Sequence, residues 1–212
     1  MENELPFSEL KIEEAIRLAV LGTTGSGKTH TIRNIVKDIC SKFRVGSIWW
    51  YGTFSYMETW LQPKFRSERV DKCKIDLLRK AQRTESFKDF YQIVVLDDIN
   101  GEDFYTKDKK WWIQFFTESR KDRIFCIIGL QFLLGSVPPA LRNNIQQWVI
   151  CDANIGTQKS LYELSRVRDT KAWYKAFEYI PKGFPVLLNT AANELHLSRL
   201  EFEKCDSEDM KN

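Results

Sequence analysis

One short stretch restricts the fold of this chain more than any other, the glycine-rich run GTTGSGKT from Gly22 to Thr29. It follows the apolar run Ala15–Leu21, which has the character of a strand. It leads into Lys28–Phe43, where isoleucine and valine recur at helical spacing. A glycine-rich loop between a strand and a helix is the arrangement that cradles phosphate groups with backbone N–H groups and a helix N-terminus. The sequence therefore predicts a site for nucleotide phosphates.

The residue types within this loop predict its chemistry. Glycines 22, 25 and 27 let the backbone curl around an anion, Lys28 adds a positive charge for the β- and γ-phosphates, and Thr29 offers a hydroxyl to Mg²⁺. His30 follows the motif, but a lone histidine on a helix is more often structural, so we assign it no chemical role. The candidate nucleotide-binding residues are Gly22, Thr23, Thr24, Gly25, Ser26, Gly27, Lys28, Thr29 and, by its position next to the motif alone, His30.

Two acidic residues follow a second apolar run, in the sequence IVVLDDIN. An acid at the end of a buried strand can hold the coordination shell of magnesium, and we assign this role to Asp97. Asp98 is then placed to orient the attacking water. A strand-end turn capped by aspartate is the plain alternative, and the neighbouring phosphate loop argues against it. Thr29 and Asp97 are the predicted metal ligands.

A glutamine, Gln131, comes directly after the next apolar strand. There it can contact the γ-phosphate or its water. A polar side chain tucked beside the sheet explains the same spacing equally well.

The order of elements predicts an α/β fold with a mainly parallel central sheet flanked by helices and a C-terminal antiparallel hairpin. We expect one domain over residues 1–212, with an N-terminal extension at 1–12 and a tail at 201–212. The predicted strands are Ala15–Leu21, Val45–Tyr51, Gln92–Leu96, Arg123–Leu130, Gln147–Cys151, Phe184–Asn189 and Glu194–Leu200. The predicted helices are Lys28–Phe43, Asp71–Arg83, Lys107–Glu118, a short turn from Pro139 toward Asn143, and Thr157–Arg166.

Composition restricts the function less. The 212 residues are 43% hydrophobic, enough for a full core, and a net charge of +3 permits a nucleic-acid partner without demanding one. Five scattered cysteines without a C-x-x-C pair argue against a zinc site and suit a reducing compartment. No apolar run reaches the length of a membrane helix, so we expect no membrane span.

The motif order resembles that of the FtsK–HerA superfamily of DNA-translocating ATPases, and within it the viral genome-packaging ATPases of the poxvirus, virophage and Polinton type. The resemblance covers residues 16–167. The residues that carry it are Gly22–Thr29, Asp97 with Asp98, Gln131, and Arg142 with Asn144.

This resemblance implies ATP hydrolysis with Mg²⁺, used to drive double-stranded DNA into a preformed capsid. It also implies a homo-oligomeric ring of five or six subunits that meets a capsid or portal-vertex protein. In such rings a neighbouring subunit supplies an arginine finger, for which Arg142 and Arg120 are both candidates. The implied location is the host cytoplasm or nucleus, or the virion.

DNA contacts in a packaging motor need basic side chains that slide along phosphates. We expect the basic segment from Lys64 to Arg83 to line the DNA channel.

Three other functions fit parts of this pattern. A small-molecule kinase shares the phosphate loop, and the arginines between Lys64 and Arg83 could form its lid. A viral replication helicase also forms rings, although no origin-binding segment precedes the loop here. A nucleotide-binding assembly protein without turnover is the third, and the joint presence of Lys28, Thr29, Asp97 and Asp98 argues against it.

Overall fold

A computed structural model describes residues 7–8, 15–51, 67–69, 72–97, 109–131, 137–165, 167–178, 180, 185–190 and 194–198. Its strands are β1 (Phe7–Ser8), β2 (Arg17–Leu21), β3 (Val45–Tyr51), β4 (Ser67–Arg69), β5 (Tyr91–Leu96), β6 (Ile124–Leu130), β7 (Gln147–Ile150), β8 (Val186–Asn189) and β9 (Glu194–Ser198). Its helices are α1 (Lys28–Lys42), α2 (Lys72–Gln82), α3 (Lys109–Glu118), α4 (Pro139–Arg142), α5 (Ile155–Ser165) and α6 (Thr170–Phe177), with a 3₁₀ turn at Glu85–Phe87.

All nine described strands join one sheet in the order β1-β9-β8-β7-β2-β6-β5-β3-β4. The strands from β7 to β4 run parallel, and β8 pairs antiparallel with both β7 and β9. This confirms the predicted α/β fold with a mainly parallel sheet and a C-terminal antiparallel hairpin.

The core forms two layers, one on each face of the sheet. Successive residues of β2 point to opposite faces, so Leu18 and Val20 join one layer and Ala19 and Leu21 the other. Helix α1 covers the first face, with four apolar side chains spaced along one stripe: Ile32, Ile35, Val36 and Ile39. Helices α2, α3, α5 and α6 cover the second face.

The central strand β6 has all seven residues buried. A strand buried on both faces reads as a continuous apolar run, which is why IFCIIGL has no alternation. The parallel strands place their carboxyl ends at one edge of the sheet, where ligands bind in folds of this class. We call this the carboxyl edge and the opposite one the amino edge.

The predicted strands and helices are confirmed, with ends within two residues of those observed. Among the described elements, sequence reasoning missed α6, β1, β4 and the 3₁₀ turn at Glu85–Phe87. Helix α6 has only eight residues and is capped by Asp169, whose Oδ1 accepts a hydrogen bond from the Ala172 N–H at 3.0 Å. Strands β1 and β4 have two and three residues, too few to show a period. None of the described helices has the length and apolar character needed to cross a bilayer.

Candidate nucleotide and metal site

The phosphate loop connects the carboxyl end of β2 with the first turn of α1, as the sequence predicts. Gly25 and Gly27 adopt φ angles of +82° and +83°, a left-handed conformation that favours glycine. Gly22 allows a close approach instead, because a Cβ there would lie 2.2 Å from the Ser26 Oγ and 3.2 Å from the Cys151 Cβ. The Ser26 hydroxyl is buried inside the curl and has no hydrogen-bond partner among the described residues. The backbone therefore has the shape that cradles an anion.

Lys28, Thr29 and Asp97 converge beside this loop. The Lys28 Nζ lies 3.7 Å from the Asp97 Oδ1, and the Thr29 hydroxyl donates to the Asp97 Oδ2 at 3.0 Å. Lys28 and Asp97 are 6% and 3% exposed, so their charges interact in a poorly solvated setting. Lys28 and Thr29 lie in the first turn of α1 and Asp97 directly follows β5, which shows that the two sequence motifs form one constellation.

The donor set fits a magnesium ion. A carboxylate and a hydroxyl 3.0 Å apart are hard oxygen donors of the kind that Mg²⁺ prefers when it also binds phosphates. Thr29 and Asp97 would hold the ion, which would supply positive charge toward the β- and γ-phosphates.

Gly129 is a site residue that sequence reasoning missed. It lies on β6, between β2 and β5 in the sheet, and a Cβ there would stand 2.3 Å from the Asp97 Oδ1. The same Cβ would lie 3.0 Å from the Ile32 Cδ1, so neither neighbour leaves room. Glycine at 129 therefore makes the space that Asp97 occupies. A glycine inside a fully apolar strand was the available signal.

Gln131 lies at the same edge of the sheet, as its position after β6 predicts. The Gly22 N–H donates to the Leu130 carbonyl at 3.0 Å, so Gln131 follows the residue that holds the start of the loop. This places its backbone next to the phosphate loop, and its contact with the γ-phosphate stays a prediction. Asp98 lies outside the described residues.

The end of β7 contributes two residues that the sequence reasoning did not assign to the site. The Thr23 hydroxyl donates to the Asp152 Oδ2 at 2.5 Å, and the Cys151 N–H donates to the Leu21 carbonyl at 2.7 Å. The Cys151 Sγ also lies 3.4 Å from the Thr31 Oγ1, and burial is the main cause that raises the pKa of this thiol. Cys151 and Asp152 thus brace the phosphate loop from the side opposite Asp97. The sequence signal that could have identified Asp152 is an acidic residue directly after another apolar strand.

His30 lies on the first turn of α1. Its Nε2 is 3.2 Å from the Asn34 Nδ2. Burial, followed by the positive charges of Arg33 and Lys37, lowers the pKa of His30 below its usual value, so the imidazole is neutral at pH 7. His30 also lines the cavity at the phosphate loop, and its role there stays a prediction.

The two candidate finger arginines lie at the amino edge, away from the phosphate loop of their own chain. Arg142 ends α4, and Gln146, four residues later, donates its N–H to the Arg17 carbonyl at the start of β2. Arg120 lies in the turn before β6. The pKa of Arg17 is lowered mainly by burial and further by the nearby charge of Arg120. Strand β2 separates this edge from the loop by about 13 Å.

Asn144, which accompanies Arg142 in the sequence pattern, has a local structural contact. Its Nδ2 donates to the Ala140 carbonyl at 2.7 Å, across the last turn of α4. Neither arginine contacts the phosphate loop, so each could complete a nucleotide site only in a neighbouring subunit.

The expectation that the Lys64–Arg83 segment lines a channel needs correction at Arg79. This side chain is 8% exposed, and its Nε donates to the Asp122 Oδ2 at 2.7 Å. It also pairs with Glu118, and the Arg83 Nε donates to the Asp122 Oδ1 at 2.7 Å. Arg79 and Arg83 therefore tie α2 to the turn before β6, because two buried or half-buried carboxylates need cationic partners. Lys64 to Arg66 lie outside the described residues.

No family model and no curated protein sequence matches the chain. Several solved structures match the chain. The genome-packaging NTPase B204 of Sulfolobus turreted icosahedral virus 2, in complex with sulfate, superposes with a TM-score of 0.66 at 9% identity, over 89% of this chain and 98% of that one. The chain has the fold of a P-loop NTPase.

Two larger proteins share this fold over part of their length. EssC (ATPases 2 and 3) of Geobacillus thermodenitrificans matches with a TM-score of 0.57 at 18% identity, over 87% of this chain and 40% of that one. The pCW3 conjugation coupling protein TcpA, with ATPγS, matches with a TM-score of 0.54 at 14% identity, over 87% of this chain and 59% of that one. The chain thus spans about half the length of these two proteins and nearly all of B204. At sequence identities this low, the structural similarity to these proteins establishes a shared fold.

Proposed function

We propose that this chain is an ATP-hydrolysing DNA translocase that packages double-stranded DNA into a viral capsid. The observation that carries the proposal is the joint placement of Lys28, Thr29 and Asp97 around a glycine cradle, on a fold shared with a genome-packaging NTPase over nearly its whole length. The constellation supplies the parts that phosphoryl transfer to water requires: a phosphate cradle, a lysine and ligands for Mg²⁺.

In this proposal ATP binds with its phosphates in the loop from Gly22 to Thr29. Lys28 neutralises charge on the β- and γ-phosphates, and Thr29 and Asp97 hold Mg²⁺. Asp98 orients the attacking water, and Gln131 contacts the γ-phosphate or this water. These side chains act by position and charge, since the transferred group needs little other help.

The active unit is a homo-oligomeric ring of five or six subunits. Arg120 and Arg142 lie at the amino edge, and a finger from either would reach the phosphates of a neighbour. The ring grips duplex DNA, meets a capsid or portal-vertex protein, and works in the host cytoplasm or nucleus or in the virion.

ATP turnover with and without duplex DNA tests this function. We expect DNA to stimulate hydrolysis several-fold, with Lys28→Ala losing nucleotide binding and Asp98→Asn binding ATP but hydrolysing it at least about 100-fold more slowly. Turnover that requires a nucleoside or another small acceptor, with no response to DNA, would replace the motor with a kinase. Full activity of Asp98→Asn would remove that residue from the mechanism.

A further inference from the structure

An apolar groove of about 440 Å³ lies between α2, the start of β3 and the segment that leads into β5. Two large apolar side chains at its rim are exposed to solvent, Leu77 at 65% and Phe87 at 44%. Leu78, Ala81 and Phe90 contribute to its walls. Large exposed apolar side chains around one concavity mark a surface that binds another molecule.

The polar groups in this groove already bond to one another. The Trp49 Nε1 donates to the Ser47 Oγ at 2.6 Å, and the Ser47 hydroxyl donates to Gln92. The Gln92 Nε2 donates to the Gln82 Oε1 at 3.0 Å, and the Gln82 Nε2 donates to the Phe90 carbonyl at 2.8 Å. Because these groups satisfy each other, the groove suits apolar side chains rather than a polar ligand.

The groove and the last described strand lie toward opposite ends of the sheet. Strand β9 is separated from β3 by six steps in the strand order, which is about 29 Å at the usual spacing between strands. Strand β9 runs parallel to β7, since each is antiparallel to β8. The chain therefore leaves β9 at the carboxyl edge, whereas Gly46 and Gln92 place the groove toward the amino edge.

The sequence after Ser198 has the chemistry of a ligand for this groove. It reads RLEFEKCDSEDMKN, in which Leu200 and Phe202 alternate with Glu201 and Glu203. Residues 201–212 contain five acids and two bases, so they carry a net charge of −3 and leave +6 on residues 1–200. Around the groove, Lys74 and Lys80 stand three residues before and after the exposed Leu77, on the same face of α2.

We propose that Leu200 and Phe202 of one copy of this chain insert into the α2–β3 groove of a second copy. The two side chains lie at most four residues beyond Ser198, a reach of about 14 Å. Their own groove is about twice as far away, so only a neighbouring molecule can receive them. The contact joins two different surfaces, so it is the head-to-tail kind from which a ring is built when the rotation between copies closes.

This interface also bears on the nucleotide site. Helix α2 forms one wall of the groove, and its Arg79 and Arg83 hold Asp122, two residues from Arg120. When the groove of one subunit binds the C-terminal segment of its neighbour, the turn that carries Arg120 would therefore lie next to this interface. The inference rests on the ring that the proposed function requires, and it names the surfaces that build that ring.

The mass of the full chain in solution, measured by light scattering over a concentration series, tests this inference. The wild-type chain should exceed the 25.0 kDa of one subunit. Leu77→Asp removes the groove contact and Phe202→Asp the inserted side chain. Each should raise the dissociation constant of assembly about 10- to 100-fold, the value of one buried apolar side chain. Leu77→Met and Phe202→Leu, which keep the contact apolar, should assemble as the wild type does.

Mixing the two aspartate variants separates binding between copies from binding within one. One molecule then offers an intact groove and the other an intact Phe202, so a single contact can form and the mixture should stop at twice the subunit mass. A mixture that stays at the subunit mass, aspartate variants that assemble as the wild type does, or a wild-type chain that is monomeric throughout would each overturn the inference. These masses need no nucleotide, so they are independent of whether the chain hydrolyses ATP.

Discussion

At the scale of single residues, Thr23 and Asp152 form the contact most open to a direct test. The Thr23 hydroxyl donates to the Asp152 carboxylate at 2.5 Å and so fixes the mouth of the phosphate loop. We expect Asp152→Ala to weaken ATP binding about five- to tenfold, the value of one ordinary solvent-exposed hydrogen bond. Asp152→Asn keeps an acceptor oxygen and should stay within about twofold of the wild type.

A double-mutant cycle on ATP affinity provides the control for this pair. Thr23→Val and Asp152→Ala should be non-additive, because each alone removes the same contact. Strictly additive effects, or equal effects of Asn and Ala at position 152, would show that the hydrogen bond does not hold the loop.

Gly129 sets the position of the Asp97 carboxylate. In Gly129→Ala the new methyl group meets the Asp97 Oδ1 at 2.3 Å, so the carboxylate must move away from Thr29. A displacement of about 1 Å at a reacting site costs about 100-fold in rate, and we expect that loss of ATP turnover. Gly156→Ala, where the nearest atom lies 3.4 Å away, is the matched control. Normal ATP turnover by Gly129→Ala would show that hydrolysis does not depend on the position of the Asp97 carboxylate.

The pH dependence of stability reports on His30. Burial and the charges of Arg33 and Lys37 lower its pKa in the folded chain, so the unfolded chain binds the proton more readily. The contribution of neutral His30 to the free energy of unfolding is therefore fully present above pH 6.5, and it is lost as the pH falls toward the lower pKa of the folded chain. Urea unfolding between pH 7.5 and 5.5 should show a steeper fall for the wild type than for His30→Gln. Identical slopes would contradict the shifted pKa.

Much of the site follows from residue types at strand ends. The loop, Asp97 and Gln131 share the carboxyl edge because each comes directly after a strand of a parallel sheet. The same rule could have identified Asp152 after β7. Gly129 could not be placed this way, because its role depends on how closely a neighbouring strand approaches. The position of Asp98 stays a prediction.

At the scale of elements, one ion-pair network joins α2 to the turn between α3 and β6. Asp122 is 3% exposed and accepts hydrogen bonds from Arg79 and Arg83, both at 2.7 Å. Asp122→Ala leaves the buried Arg79 without this partner, and we expect it to lower the free energy of unfolding by about 3–5 kcal/mol. Urea denaturation measures this loss.

The exposed pair of Glu85 and Lys88 is the matched control for this network. Glu85→Ala should change the free energy of unfolding by no more than about 0.5 kcal/mol, because surface pairs contribute little. Equal losses in the two variants would mean that the Asp122 network does not hold α2 in place.

Element types were predictable where the hydrophobic pattern was long. The run IFCIIGL and the isoleucine stripe of α1 each predict one structure, whereas two- and three-residue strands show no pattern. The basic side chain of Arg79 in α2 was misjudged for a related reason. Charge in a sequence does not distinguish a solvated arginine from Arg79, which reaches back to a buried aspartate.

At the scale of the whole molecule, the carboxyl and amino edges of the sheet carry different functional groups. The carboxyl edge carries the phosphate loop, Asp97 and Asp152, and the amino edge carries Arg120 and Arg142. A single subunit cannot bring these groups together. The proposed ring does so between subunits. The division follows from strand direction, because the two arginines precede parallel strands whereas the loop and the two aspartates follow them.

The central claim is that this carboxyl edge splits ATP in order to move along DNA, and the dependence of turnover on duplex length tests it most directly. At a fixed concentration of base pairs, a translocase runs further on longer molecules before it must rebind. We therefore predict that ATP turnover rises with duplex length to a plateau and is absent in Lys28→Ala. Turnover that is the same with every length of duplex as with no DNA would contradict the account.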